Sequence, residues 1–335
     1  MRLKGAERPT PKQAALALCL LALAAPAFAW NDEGHMAVAY LAYQRLKPAT
    51  RARANALLKL NPYYSKWRAL LPPGTSDADA DQAIFMIAAT WPDQIRTDPA
   101  YMDDGPNGGN APPPGPTATQ NIGYADHLRH KYWHFINMFF SQDGSKLPRT
   151  QTPNAETQIR AFRRAIGSNA SDDVKSYDLT WLEHLVGDVH QPLHAITRVS
   201  ASFLDGDAGG SLLLLCPAPC NNNLHLFWDR LIGTQSGLKT PGPEPDLATE
   251  VRLAMNEAQV LPAPDPSLVP KTSEHVWLQE SFDLGKQYVY VGPVGPVPGP
   301  VKLTPEYYGT AKRIAEQRVA LAGARLGNLL NQELK

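Results

Sequence analysis

Two stretches of this chain put an imidazole and a carboxylate four residues apart inside otherwise apolar sequence, and this limits the possible folds more than any other feature. In Trp181-Leu-Glu-His-Leu-Val-Gly-Asp-Val-His-Gln-Pro-Leu-His194, His184 and Asp188 stand at i and i+4. In Asn223-Leu-His-Leu-Phe-Trp-Asp229, His225 and Asp229 repeat the pair. On a helix that spacing places both side chains on one face, about 5–6 Å apart at Cβ. Pro192 then stops the first helix, so His194 can turn back toward the same region. One such pair reads equally well as a solvated helix face. Two pairs among Leu, Val, Phe and Trp are buried with their helices, where uncompensated imidazoles and carboxylates are costly. A bound metal resolves that cost, and zinc favours these nitrogen and oxygen donors. Trp91-Pro-Asp93-Gln-Ile-Arg96 and Trp133-His134-Phe-Ile-Asn137 supply further donors.

Helical periodicity runs through most of the chain. It predicts helices over Asp32–Leu46, Ala49–Leu60, Ala78–Thr90, Ala155–Ile166, Tyr177–Val189, Leu226–Leu231, Leu247–Gln259, Ser273–Tyr290 and Thr304–Leu334. Strand signals are weak, and only Leu212–Leu215 reads as half of a small β-hairpin. Gly105–Pro116 and Gly292–Pro300 are Pro/Gly-rich surface loops. No internal repeat or linker separates the metal-type residues. The expectation is an all-α chain: one mainly helical domain over residues 30–335, with at most a small hairpin.

The first 29 residues have a different character. Basic Arg2, Lys4, Arg8 and Lys12 precede an apolar run from Ala14 to Ala25, and Ala27-Phe28-Ala29 is a cleavage site of the A-x-A kind. This reads as a secretory signal removed between Ala29 and Trp30, leaving a secreted or periplasmic protein. The apolar run is short for a membrane span, which needs about 20 residues, so no stable membrane association is expected.

Charge is balanced, with 32 Lys+Arg against 32 Asp+Glu. A duplex-DNA binder would carry a basic excess, so attraction for phosphate has to be local. Of three cysteines, Cys19 leaves with the leader. Cys216 and Cys220 then read as a small loop-closing disulfide of an oxidising compartment.

In order, Trp30, Gly34-His35, Trp91 to Arg96, Trp133 to Asn137, the His184–His194 block and Leu224-His-Leu-Phe-Trp-Asp229 resemble the zinc-dependent single-strand nucleases of the S1/P1 type, within the phospholipase C/nuclease superfamily. Leu321 to Asn331 fits as well. The resemblance implies three zinc ions in a cleft. Asp93, His134, His184 and Asp188 would hold one, and the Trp30 amine and carbonyl, His35 and the shared Asp188 a second. His194, His225 and Asp229 would hold the third. It further implies hydrolysis of single-stranded DNA and RNA to 5′-phosphomononucleotides by a monomer, with 3′-nucleotidase activity beside it. Asp93 and Arg96 would be catalytic, Arg96 meeting transition-state charge, although Arg96 can equally serve only to orient Asp93. Phe135 would stack on a base or simply fill the core, and Asn137 would face the base edge where some relatives carry Asp.

Other readings are a zinc phospholipase C of the same superfamily and a zinc-binding protein without catalysis. A di-iron carboxylate bundle fits less well, because it needs paired Glu-x-x-His motifs and none is present. His127, His130 and His275 are expected at the surface. His190, inside the motif, is expected to support the ligands from behind.

Overall fold

The computed structural model describes residues 30–217, 222–233, 246–295 and 299–335. The proposed signal segment and Cys220 lie outside the described residues.

Local rules set the helix ends. Asn31 accepts from the Gly34 N–H at the start of Asp32–Arg45, and Ser76 and Ser171 do the same for Asp77–Ala88 and Asp172–Asp188. Asn154 and Thr157 form a reciprocal capping box on Ala155–Ile166. Pro48 and Pro305 take first-turn positions, where the missing N–H costs nothing. The remaining long helices are Leu247–Val260 and Glu274–Leu284, and Leu224–Asp229 is short.

Asp172–Asp188 is the centre of the fold. Every residue from Ser176 to Asp188 is buried, and the helices 32–45, 48–58, 155–166 and 305–333 pack around it. A helix covered on all sides shows little amphipathic contrast, which is why periodicity places its start late. Aromatic rings fill one flank: Trp91 meets Tyr101, Tyr124, Tyr177 and Trp181 edge-on, and Trp181 also meets Trp133.

The sheet differs from the expected hairpin. Two strands, Met138–Ser141 and Ile196–Val199, pair in parallel with Met138 opposite Ile196. Parallel pairing needs a long crossover, supplied here by helices 155–166 and 172–188. No local turn signal could announce it. Leu212–Leu215 forms no strand. It makes one antiparallel bridge, Leu214 to Asn223, flanked by hydrogen bonds from Leu215 N–H to the Asn222 carbonyl (3.0 Å) and Leu224 N–H to the Leu213 carbonyl (2.9 Å). The expected Ser273–Tyr290 helix is regular only to Leu284 and widens into a π turn over Gly285–Val289. Among the described residues no helix is long and apolar enough to cross a membrane.

Candidate metal centre

The C-terminal turn of the central helix carries His184 and Asp188. The His184 Nδ1–H donates to the Ala89 carbonyl (2.7 Å), which fixes the tautomer and turns Nε2 inward. Asp93 arrives on the short helix Trp91–Gln94, and His134 just after the Lys131–Trp133 turn. Their donor atoms converge. His184 Nε2 lies 2.9 Å from His134 Nδ1, and Asp188 Oδ2 lies 3.3 and 3.2 Å from those nitrogens. Asp93 oxygens stand 3.8 Å from each of them. Four donors around zinc at about 2.0–2.2 Å would be separated by roughly 3.3–3.6 Å, so this spacing suits one cation.

The other oxygen of Asp188 faces elsewhere. Oδ1 is 3.4 Å from His35 Nε2, and the His35 ring stacks on His184 at 3.9 Å. His35, Asp93 and His184 form a second convergent set that shares Asp93 and His184 with the first. Asp188 stands between them, with Oδ2 toward His134 and His184 and Oδ1 toward His35. Gly187 permits this approach: a Cβ there would meet His35 Nδ1 at 3.0 Å and the Trp30 indole at 3.7 Å. Trp30 is fully buried and its Nε1–H donates to the Gly187 carbonyl (3.0 Å).

A third set is formed by His194, His225 and Asp229. The two Nε2 atoms are 3.2 Å apart, and Asp229 oxygens lie 3.9 and 3.6 Å from them. Again the far ring nitrogens donate to backbone carbonyls, His194 to His134 (2.8 Å) and His225 to Gly209 (2.8 Å). Gly209 adopts φ +58°, and a Cβ there would strike the Leu193 carbonyl at 2.6 Å, so that position needs glycine. The Asn31 N–H donates to the Asp229 carbonyl (3.0 Å), so residues 30–31 touch both ends of the constellation.

Buried donors without partners are the best test of fit. Both ring nitrogens of His35, Asp93 Oδ2, both Asp188 oxygens and Asp229 Oδ2 are buried without a hydrogen-bond partner. Burial lowers the pKa of His35, His134 and His194, and brings His225 to about 4, so these rings are neutral with free lone pairs. Burial raises Asp229 well above the carboxylate range. At His184 burial opposes the proton, but Asp188 and Asp93 outweigh it and hold the ring up at about 9. Metal ions require neutral imidazoles and ionised carboxylates, so a bound cation would take the place of the protons that His184 and Asp229 hold without it.

Arg96 donates from Nη1 to Asp93 Oδ1 (3.0 Å), so the side chain does orient Asp93, and it places a cation beside the first set. Phe135 and Asn137 line a small pocket with Tyr132, Asn110 and Pro112. The Thr197 hydroxyl donates to Asn137 Oδ1 (2.7 Å).

Three parts of this region lay beyond sequence reasoning. Gln191 donates from Nε2 to Asp229 Oδ1 (2.7 Å) and orients that carboxylate. His190 does not stand behind the ligands. Its Nε2 meets Arg325 Nη1 (2.9 Å) and its Nδ1–H donates to the Val186 carbonyl (2.7 Å), which ties the central helix to helix 305–333. His130 is fully buried rather than exposed, ion-paired on both ring nitrogens. His275 is exposed as expected, near Glu156.

The sequence model of the S1/P1 Nuclease family matches residues 30–335. This chain belongs to the S1/P1 nuclease family. Among its relatives, Endonuclease 4 of Arabidopsis thaliana is 25% identical over 326 residues, covering 94% of this chain and 92% of that protein. Endonuclease 3 of the same plant is 24% identical over 324 residues, with 94% and 92% covered. Endonuclease 5 is 31% identical over 174 residues, 49% of this chain and 55% of that protein. The S1/P1 nuclease is therefore a hydrolase of nucleic acid from a metal-dependent family, in place of the phospholipase and non-catalytic readings. Among its described residues, three groups of His and Asp can hold metal.

Proposed function

We propose that this S1/P1 nuclease holds three zinc ions and hydrolyses single-stranded DNA and RNA to 5′-phosphomononucleotides, with 3′-nucleotidase activity from the same site. The observation that carries the reading is Asp188, whose two oxygens face separate donor sets. Asp93, His134, His184 and Asp188 would hold one ion. Trp30, His35 and Asp188 would hold its close neighbour, and His194, His225 and Asp229 the third. Bound zinc supplies Lewis-acid polarisation of the phosphoryl oxygens and a lowered pKa for water.

The protein's own groups do the rest. Arg96, held by Asp93, brings a planar cation to the phosphate and meets charge that grows in the transition state. Asp93 has two tasks: it is a metal donor and it sets the Arg96 fork. The carbonyls of Ala89, His134 and Gly209 hold three imidazoles in the tautomer that points Nε2 inward. Phe135 offers its ring face to an unpaired base and Asn137 its amide to the base edge. A duplex hides those faces, which accounts for single-strand preference.

Export with cleavage between Ala29 and Trp30 belongs to the same proposal, because only then does Trp30 carry a free α-amine as a donor. So do the Cys216–Cys220 disulfide, a monomeric state and the absence of membrane attachment. The test is elemental analysis of the exported protein beside hydrolysis of matched single-stranded and duplex oligonucleotides. About three zinc ions per chain and strong single-strand preference are expected. One zinc or none, or equal cleavage of duplex, would overturn the assignment.

A further inference from the structure

Outside the metal centre, His130 is held on both ring nitrogens by carboxylates. Its Nε2–H donates to Asp126 Oδ2 (2.9 Å) and its Nδ1–H to Asp104 Oδ2 (2.6 Å), while its backbone N–H donates to Asp104 Oδ1 (3.1 Å). The Tyr132 hydroxyl donates to the same Asp104 carboxylate. The imidazole is fully buried and lies flat on Trp133 at 3.5 Å, with 9° between the rings. The backbone is left-handed at φ 42° and ψ 45°, uncommon for a residue other than glycine. Strain of this kind persists where surrounding contacts over-determine it, and it clusters at functional sites.

What the clamp joins gives it a purpose. On one side is the irregular segment 98–126, which carries both carboxylates. Its Ala118 carbonyl accepts from Trp133 Nε1–H (3.0 Å), and its Gly108 carbonyl from Lys131 Nζ (2.9 Å). On the other side is the Lys131–Trp133 turn, followed directly by His134 and Phe135. The small pocket beside Phe135 is lined by Asn110 and Pro112 of the segment together with Tyr132, Phe135 and Asn137. Its lining thus draws on two parts of the chain held together by His130.

We propose that His130 is a positioning residue for substrate: standing at the head of the ligand-bearing turn and pinned between Asp104 and Asp126, it locks the 98–126 segment against that turn and sets the width of the pocket where an unpaired base binds. This rests on the reading of that pocket as a substrate site. His130 touches neither metal donors nor reacting atoms, so its loss acts on substrate affinity rather than on the chemical step. Charge is part of the pin. Burial opposes protonation, but the hydrogen bonds from Asp104 and Asp126 outweigh it and raise the imidazole pKa above its ordinary value. Asp104 is lowered in turn: burial pushes it up, and the hydrogen bonds and charge of His130 together with the Tyr132 hydrogen bond more than reverse that. The Tyr132 hydroxyl, raised by burial, stays protonated. Arg129 and Lys131 pair with Asp103 instead.

His130→Asn removes the charge while keeping a residue that tolerates the left-handed backbone. The zinc-loaded holoenzyme is assayed on a single-stranded oligonucleotide and on bis(p-nitrophenyl) phosphate, which needs no base pocket, with zinc content measured. The expected result is a KM for the oligonucleotide raised about tenfold, the loss of roughly one stacked base. The kcat, zinc content and small-diester hydrolysis stay unchanged. An unchanged KM, or loss of zinc with loss of small-diester hydrolysis, would overturn the proposal. Asp104→Asn guards against misfolding of the first variant. Wild-type KM rises at alkaline pH as His130 loses its proton, and this variant moves that limb to lower pH; a limb that stays in place also overturns it. Wild-type protein that cleaves the small diester but no oligonucleotide would instead remove the substrate reading of the pocket, and this inference with it.

Discussion

The metal centre and the His130 clamp are both buried clusters of imidazole and carboxylate, yet they solve burial in opposite ways. At His130 each ring nitrogen has its own carboxylate, at 2.6 and 2.9 Å, and neither Nδ1 nor Nε2 is left over. At the metal centre imidazole nitrogens face each other, 2.9 Å apart for His184 and His134. Asp93 Oδ2, both oxygens of Asp188 and Asp229 Oδ2 there have no hydrogen-bond partner. The first cluster satisfies itself with a proton; the second waits for an external cation. Residue types alone do not tell a ligand set from an ion pair. Unpartnered atoms do, since both ring nitrogens of His35 are without a partner while both of His130 face a carboxylate.

The largest effect that sharpens this contrast is metal removal. Chelation should abolish hydrolysis and lower the unfolding midpoint by roughly 10 °C, since a ligand at about 1,000 times its Kd adds near 4 kcal/mol. Calorimetry of treated and zinc-restored protein checks it. An unchanged midpoint would make the centre as self-sufficient as the clamp and break the comparison.

Next comes the division of donors inside the centre. Asp188→Asn should remove both members of the close pair, and Asp229→Asn only the third ion, as zinc analysis would show. Equal loss from the two variants would contradict a shared Asp188. A smaller effect is expected at Arg96, whose loss removes a preorganised donor and not a metal ligand. Arg96→Ala should lower kcat by about 10²–10³ with zinc retained. If zinc leaves as well, orienting Asp93 is the main task of Arg96.

The smallest effect concerns the clamp. A folded pKa above the unfolded value of about 6.5 means that protonated His130 contributes its full stability below that pH. The contribution is lost as pH rises through the folded pKa. The stability gap between wild type and His130→Asn, measured by urea titration, should therefore narrow from pH 6 upward. A gap that widens with pH would mean that the ring is neutral in the fold.

Much of the helical frame was legible because its signals are local. Asn31, Ser171 and Asn154 cap their own helices, and Pro48 and Pro305 open theirs. The parallel strands were not, because Met138 and Ile196 meet only after a crossover of two helices. Asp126 and His130 have the same i, i+4 spacing as His184 and Asp188, yet they sit in polar sequence that reads as solvent-exposed. Only the packing of Trp133 and the 98–126 segment buries them.

By itself the sequence determined a helical chain with two metal-type pairs, because His and Asp at i, i+4 on an apolar helix share a face whatever surrounds them; the other donors came from the resemblance. Tertiary structure decided the rest. It gave Asp188 two faces by bringing His35 against Gly187. It chose the inward nitrogen of His184, His194 and His225 through the carbonyls of Ala89, His134 and Gly209. A backbone carbonyl is the same group in every residue, so nothing in the sequence can say which one will stand beside a distant imidazole.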